Sequence, residues 1–257
     1  PILPGAPSEV WRYRAELLKG PQNTVTENPD SYLGPTIRLR HGQTVKIHIH
    51  NELPEDTTVH WHGLHVPSDV DGQPRLPIRP GETMTVGFEV LDRAGLLLVL
   101  QDRTFAGNNE LVYMGGGRGS MMDRMHGFLG DRVLANGAPP TTRKVATRPY
   151  RIRVLNGSNA RIYKLAWSDG RPVTVIGADG GLLQEPEDRP YAVLAPAQRL
   201  DIWVDLSEFQ PGDALELISD RFRAGMMSGG MMDGMGMMGS NALPLGSRFP
   251  LARLEVA

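Results

Sequence analysis

The sequence predicts an all-β protein built as β-sandwiches, and three observations predict it. Glycine (30) and proline (21) are plentiful and dispersed along the 257 residues, so turns break the chain into short segments. Several of those segments alternate apolar and polar residues, the period-two signature of a half-buried strand. No long stretch holds a 3.6-residue apolar period, and prolines interrupt most candidates for one.

The elements follow in order. Thr44-Val45-Lys46-Ile47-His48-Ile49-His50-Asn51 alternates well, as do Tyr150-Arg151-Ile152-Arg153-Val154-Leu155 and Arg199-Leu200-Asp201-Ile202-Trp203-Val204-Asp205-Leu206. These strands belong to two pieces written to one plan. In the first, Gly34-Pro35-Thr36-Ile37-Arg38-Leu39 leads to the strand ending in Asn51, and Ile78-Arg79-Pro80-Gly81-Glu82 follows. In the second, Asn136-Gly137-Ala138-Pro139 leads to the strand ending in Asn156, and Leu194-Ala195-Pro196-Ala197-Gln198 follows. The echo predicts two related sandwiches, over residues 1–100 and 101–257. A loop rich in Gly and Met, residues 114–125, falls in the second.

Residues 226–238 hold seven methionines in thirteen positions: Met226, Met227, Met231, Met232, Met235, Met237 and Met238. The segment has no periodicity and is expected to be a mobile loop. Two readings stay open for it. Thioethers are soft ligands suited to Cu(I), so the cluster is a candidate soft-metal or substrate contact; alternatively, flexible methionines cover an apolar groove.

Composition excludes several function classes. A net charge of −2 gives no electrostatic reason for a nucleic-acid or anionic-membrane partner. No apolar run approaches the ~20 residues needed to span a bilayer. The sequence opens at Pro1 without initiator Met or signal peptide, so a processed or trimmed form is expected. Cysteine is absent, which removes disulfides, thiolate nucleophiles, iron–sulfur ligation and Cys-containing zinc sites. It also removes the thiolate that a blue-copper centre requires.

Six of the seven histidines lie between positions 41 and 65. Two pairs have i, i+2 spacing, which on a strand places both imidazoles on one face. His48 and His50 share a face with Lys46, opposite Val45, Ile47 and Ile49, so they are expected to be solvated. His60 and His62 flank Trp61, which points the other way and can anchor the strand in a core. Gly63 follows and permits close backbone approach. Two neutral imidazoles on one strand face suit copper or zinc.

The residues around this second pair carry a resemblance. Asn51-Glu52-Leu53-Pro54-Glu55-Asp56-Thr57-Thr58-Val59-His60-Trp61-His62-Gly63-Leu64-His65-Val66-Pro67, then Asp71-Gly72 and Ile78-Arg79-Pro80-Gly81-Glu82, are similar to the first copper motif of multicopper oxidases. Leu129-Gly130-Asp131-Arg132-Val133-Leu134-Ala135-Asn136-Gly137, Leu155-Asn156-Gly157-Ser158-Asn159-Ala160-Arg161 and Ala178-Asp179-Gly180-Gly181 are similar to the second domain of that family. The chain thus resembles the first two domains of a bacterial laccase-like or cuprous-oxidase enzyme. The resemblance implies two cupredoxin-like Greek-key β-sandwiches, the first incomplete, with copper as cofactor. It implies oxidation of phenolic donors or Cu(I), O2 reduced to water, and a periplasmic or extracellular setting. By resemblance His60 matches a ligand of the lone copper and His62 a ligand of the paired coppers. Asp71 falls where the family places an acidic residue that assists proton delivery; its alternative role is a turn residue before Gly72. His65 matches a variable position.

The sequence also departs from the family pattern. After Asp92-Arg93-Ala94-Gly95 the family continues into a His-Pro-His strand, whereas here Leu96 already resembles the start of domain two. The first sandwich is therefore expected to lack closing strands and two ligands. Domain three, with the remaining His ligands and the essential Cys, is absent from these residues. Three readings follow. The residues are part of a larger oxidase, completed by a missing domain three or a complementary chain segment. Alternatively, they form a non-catalytic interaction module. The third reading is a copper-binding or delivery protein using His60, His62 and the Met-rich loop.

Overall fold

The computed structural model describes residue 5 and residues 7–28, 31–91, 96–113, 127–140, 142–223 and 243–257. The Met-rich stretches 114–125 and 226–238, and residues 92–95 before the expected junction, lie outside the described residues. The chain divides into two units. One comprises Trp11–Asn28 and Gly34–Arg93; the other comprises Pro1–Val10, Pro29–Leu33 and Ala94–Ala257.

In the smaller unit β1 (Val25–Thr26) pairs antiparallel with β2 (Thr36–Ile37). Strand β3 (Thr44–His50) pairs antiparallel with β4 (Thr83–Glu89) in the register Val45↔Phe88, Ile47↔Val86 and Ile49↔Met84. Alternation decides which face is buried. Val45, Val86, Phe88 and Val90 form a small core, and Leu39, Ile47, Ile49, Trp61, Leu64, Val66 and Met84 pack against it. His48 and His50 are exposed on the other face, as their side of the strand requires.

The larger unit is a two-sheet sandwich. Its strands are β5 (Leu96–Phe105), β6 (Leu111–Val112), β7 (Arg132–Ala135), β8 (Thr142–Val145), β9 (Pro149–Asn156) and β10 (Tyr163–Trp167). Then come β11 (Val173–Ala178), β12 (Gly181–Arg189), β13 (Ala192–Leu194), β14 (Arg199–Asp205), β15 (Ala214–Ser219) and β16 (Phe249–Val256). One sheet runs β12-β11-β14-β9-β5-β6, with β7 also on β5; the other runs β13-β10-β15-β16-β8. Ile152, Val154, Val175 and Ile202 from the first sheet meet Tyr163, Leu165, Trp167, Leu217 and Leu251 from the second in one buried core. Each such side chain contributes about 1.5–3 kcal/mol on burial. Strand β5 pairs in parallel with β9 from Leu96↔Ile152 to Leu100↔Asn156, so the whole strand belongs to the larger unit. Strand β5 runs through residue 100 and lies within the larger unit. Among the described residues the smaller unit has four strands and the larger twelve.

The internal echo is reproduced bond for bond. In the smaller unit Asn51 N–H donates to the Glu82 carbonyl (3.0 Å) and Gly81 N–H donates to the Asn51 carbonyl (2.8 Å). The buried Asn51 amide donates to the Ile78 and Glu55 carbonyls, both at 2.8 Å, and its Oδ1 accepts from Leu53 N–H at 2.9 Å. In the larger unit Asn156 N–H donates to Gln198 (3.0 Å) and Ala197 N–H donates to Asn156 (2.8 Å). The Asn156 amide donates to Leu194 (3.0 Å) and Arg161 (2.8 Å), and its Oδ1 accepts from Ser158 N–H at 2.9 Å. Even the left-handed turn residue matches: Gly81 has φ 78° and Ala197 φ 65°. An asparagine at the end of a strand satisfies three otherwise unpaired backbone groups at once, so both units use it to close the same turn.

Candidate metal centre

The segment carrying His60 begins where Thr57 and Ile78 exchange two backbone hydrogen bonds, 3.0 and 2.8 Å. Trp61 then fixes it. The indole packs on Phe88, with ring centroids 5.2 Å apart, and its Nε1–H donates to the Val70 carbonyl at 2.9 Å. A short 3-10 helix, Ser68–Val70, ends at Asp71, whose Oδ1 accepts the Trp61 peptide N–H at 2.9 Å. Gly72 holds φ 70°, and a Cβ there would lie 2.4 Å from the Val59 carbonyl oxygen. Only glycine therefore lets residues 71–72 press against the backbone of residues 59–60.

His60 and His62 are brought together, their ring centroids 5.2 Å apart at an interplanar angle of 81°. The expectation that a strand face does this is corrected. Residues 58–61 belong to no strand, and His62 and Gly63 form a turn closed by Leu64 N–H on the Trp61 carbonyl (2.9 Å). Gly63 takes φ 87°, a left-handed value that glycine adopts without strain. Both imidazoles are exposed, as is His65. His60 Nδ1 lies 3.0 Å from Asp71 Oδ1. An ionised carboxylate only accepts, so Nδ1 carries the proton and Nε2 keeps the lone pair that a metal needs.

Asp71 thus orients one imidazole and pins the next peptide group, contacts that the sequence does not assign to it. The only signal for them is the Asp71-Gly72 dipeptide, whose glycine permits the close approach. The donor set fits copper in type: two imidazoles, one with its far nitrogen held by a carboxylate. It does not fill a coordination sphere. Among the described residues no three His, Asp or Glu side chains gather into a metal-holding group. The methionines of 226–238, the other candidate metal or substrate contacts, lie outside the described residues. No helix among the described residues is long and apolar enough to cross a membrane.

Residues 9–109 match the family model described as multicopper oxidase. The multicopper oxidase mco of Staphylococcus haemolyticus is 33% identical over 240 residues, covering 77% of this chain and 52% of that protein. The cell division protein FtsP of Escherichia coli K12 is 32% identical over 222 residues, covering 68% of this chain and 45% of the relative. Among solved structures, the laccase-like multi-copper oxidase CueO of the lignin-degrading bacterium Ochrobactrum sp. superposes with a TM-score of 0.69 at 26% identity, over 99% of this chain and 64% of that one. The chain spans about half the length of the curated relatives it matches. The fold is all-β and cupredoxin-like, and the chain belongs to the multicopper oxidase family, whose members bind copper.

Proposed function

We propose that this chain supplies one arm of a copper-dependent, laccase-like oxidoreductase that oxidises phenolic donors or Cu(I) and passes the electrons to O2, giving water. The observation that carries the reading is the paired imidazoles of His60 and His62, one of them oriented by Asp71, inside the stretch that matches the family model. His60 and His62 hold copper; bound copper supplies the one-electron chemistry. The contributions of the chain's own residues follow from the geometry. Asp71 fixes the tautomer of His60 and holds a carboxylate within reach of protons consumed at the site. Trp61 anchors the segment so that both rings keep their separation. With no cysteine in the sequence, no thiolate route for donor electrons exists in these residues. The remaining ligands come from a domain-three-like part or a complementary chain segment, and the setting is periplasmic or extracellular.

A second reading is favoured by one observation. A protein named for cell division matches almost as well as one named an oxidase, at 32% against 33% identity, so a non-catalytic interaction module is the competing role. Copper content and intact mass of the isolated protein separate the two. Stoichiometric copper with O2 uptake on a phenolic donor or Cu(I), abolished by His62→Ala, supports the oxidase. Copper-free protein with no O2 uptake after copper loading, at an intact mass that includes the domain-three-like part or with the complementary segment bound, refutes it.

A further inference from the structure

We propose that His48 and His50 form a second, peripheral metal site that chelates a divalent late first-row cation, Cu(II) most tightly. The site is independent of His60 and His62. Both side chains stand exposed on the outer face of β3, two residues apart in a seven-residue antiparallel strand. Their direct cross-strand partners are threonines, His48↔Thr85 and His50↔Thr83. Each threonine engages the same ring atom: His48 Nδ1 lies 2.8 Å from Thr85 Oγ1, and His50 Nδ1 lies 2.9 Å from Thr83 Oγ1. The two imidazoles are therefore held alike, by the same nitrogen and the same neighbouring strand.

That arrangement has a consequence for ligation. A hydroxyl can accept the Nδ1 proton, which places the lone pair on Nε2, the nitrogen that the threonine leaves for a metal. Asp71 does the same for His60. Side chains two apart on a strand are about 7 Å apart at the backbone, and a metal sits about 2.0–2.1 Å from each imidazole nitrogen. The rings close the remainder by tilting toward each other, which an exposed face permits without disturbing the core beneath. Gly87 stands opposite Lys46, so no second side chain crowds that end. Lys46 is the one opposing charge on this face of β3, and its long stem lets the ammonium swing away. Water completes the coordination sphere. The cation order for an imidazole pair favours copper over nickel or cobalt, with zinc somewhat weaker than copper.

The test is a Cu(II) titration by calorimetry and electron paramagnetic resonance on the wild-type chain and on His60→Gln/His62→Gln, each with and without His48→Gln or His50→Gln. In both backgrounds we expect a Cu(II) site, additional in the wild type to any copper at His60 and His62, whose affinity falls at least about tenfold when either His48 or His50 is replaced, because chelation is lost. Thr83→Val/Thr85→Val should weaken the same site by roughly tenfold with the fold intact by circular dichroism. Zn(II) should protect His48 and His50 together from diethyl pyrocarbonate, mapped by peptide mass. Unchanged Cu(II) affinity in His48→Gln and His50→Gln overturns the proposal. So does a loss of only about twofold for each, the mark of independent monodentate rings. Zn(II) protection confined to His60 and His62 overturns it as well.

Discussion

Replacing Arg161 by methionine tests how the larger sandwich is held at one end. Arg161 and Asp102 are buried, at 1% and 0% exposure. Arg161 Nε donates to Asp102 Oδ2 at 2.8 Å, and Nη2 donates to the Gly130 and Leu243 carbonyls at 2.9 and 2.6 Å. The same Oδ2 accepts Gly130 N–H at 2.8 Å. One guanidinium therefore ties β5 to two chain segments that each follow a methionine-rich stretch. Arg161→Met would leave Asp102 buried without its cation and two carbonyls without their donor. Breaking a buried pair from one side costs about 3–5 kcal/mol, and the carbonyl losses overlap with that figure, so about 4 kcal/mol is expected. At about 2–4 °C per kcal/mol for a protein of this size, the melting point should fall by roughly 8–16 °C. Urea unfolding, checked for an unchanged m-value, and calorimetry measure it. Asp102→Leu/Arg161→Met should recover part of the loss, since no charge is stranded, while the Gly130 N–H and the Gly130 and Leu243 carbonyls stay unpaired. A single-variant cost below about 1 kcal/mol, or a double variant as unstable as the two singles summed, would refute the reasoning.

Two further outcomes follow. Gly72→Ala must move the Val59 carbonyl, 2.4 Å from its Cβ, whereas Gly81→Ala meets nothing within 4 Å and carries only its left-handed φ of 78°. Gly81→Ala should cost about 1 kcal/mol and leave copper binding at His60 alone; Gly72→Ala should cost more and weaken that binding, and equal melting points with equal copper affinity would contradict this. Burial pushes the Asp201 carboxyl up, but hydrogen bonds and charge from Arg153 and Arg151 outweigh it and hold it below its ordinary value. Its contribution is thus fully present above the unfolded value of about 3.9 and is lost as pH falls through the lower folded value. Asp201→Asn should flatten the acid limb of stability below about pH 4, read from urea midpoints against pH; an unchanged acid slope counts against the assignment.

The strands were legible where one face is buried, because alternation is then a direct image of burial. Strands β3, β9 and β14 begin and end within a residue or two of their alternating segments. The turn chemistry was legible too, since Asn51 and Asn156 precede Pro-Gly and Pro-Ala turns that they later hydrogen-bond. What escaped is long-range. Nothing local announces that Asp102 meets Arg161 across 59 positions, or that β5 pairs in parallel with β9. The alternation of Val59-His60-Trp61-His62 imitates a strand, but Gly63 ends it with a left-handed turn, and no partner strand lies beside it among the described residues. The i, i+2 spacing thus brings the rings together without a strand ladder, and Asp71 and the Trp61 indole hold the segment that carries them.

The duplicated turn shows why the two units differ at the positions of His60 and His62. Counting nine and eleven residues beyond the latch asparagine leads to His60 and His62 in the smaller unit, and to Leu165 and Trp167 in the larger. Leu165 and Trp167 lie in β10, which is paired to β15 on one side and β13 on the other, and both side chains are buried in the core. A strand fixed on both sides must spend its inward positions on apolar volume. In the smaller unit the matching stretch belongs to no strand, Trp61 between the two histidines packs on the core, and the positions either side are exposed to solvent. Released positions still need to be held if they are to bind a metal. Here the holding is done by Asp71 on His60 and by the Val70 carbonyl on the Trp61 indole, made possible by Gly72. The same turn thus leads to packed apolar side chains where a strand continues and to two exposed, paired imidazoles where it does not.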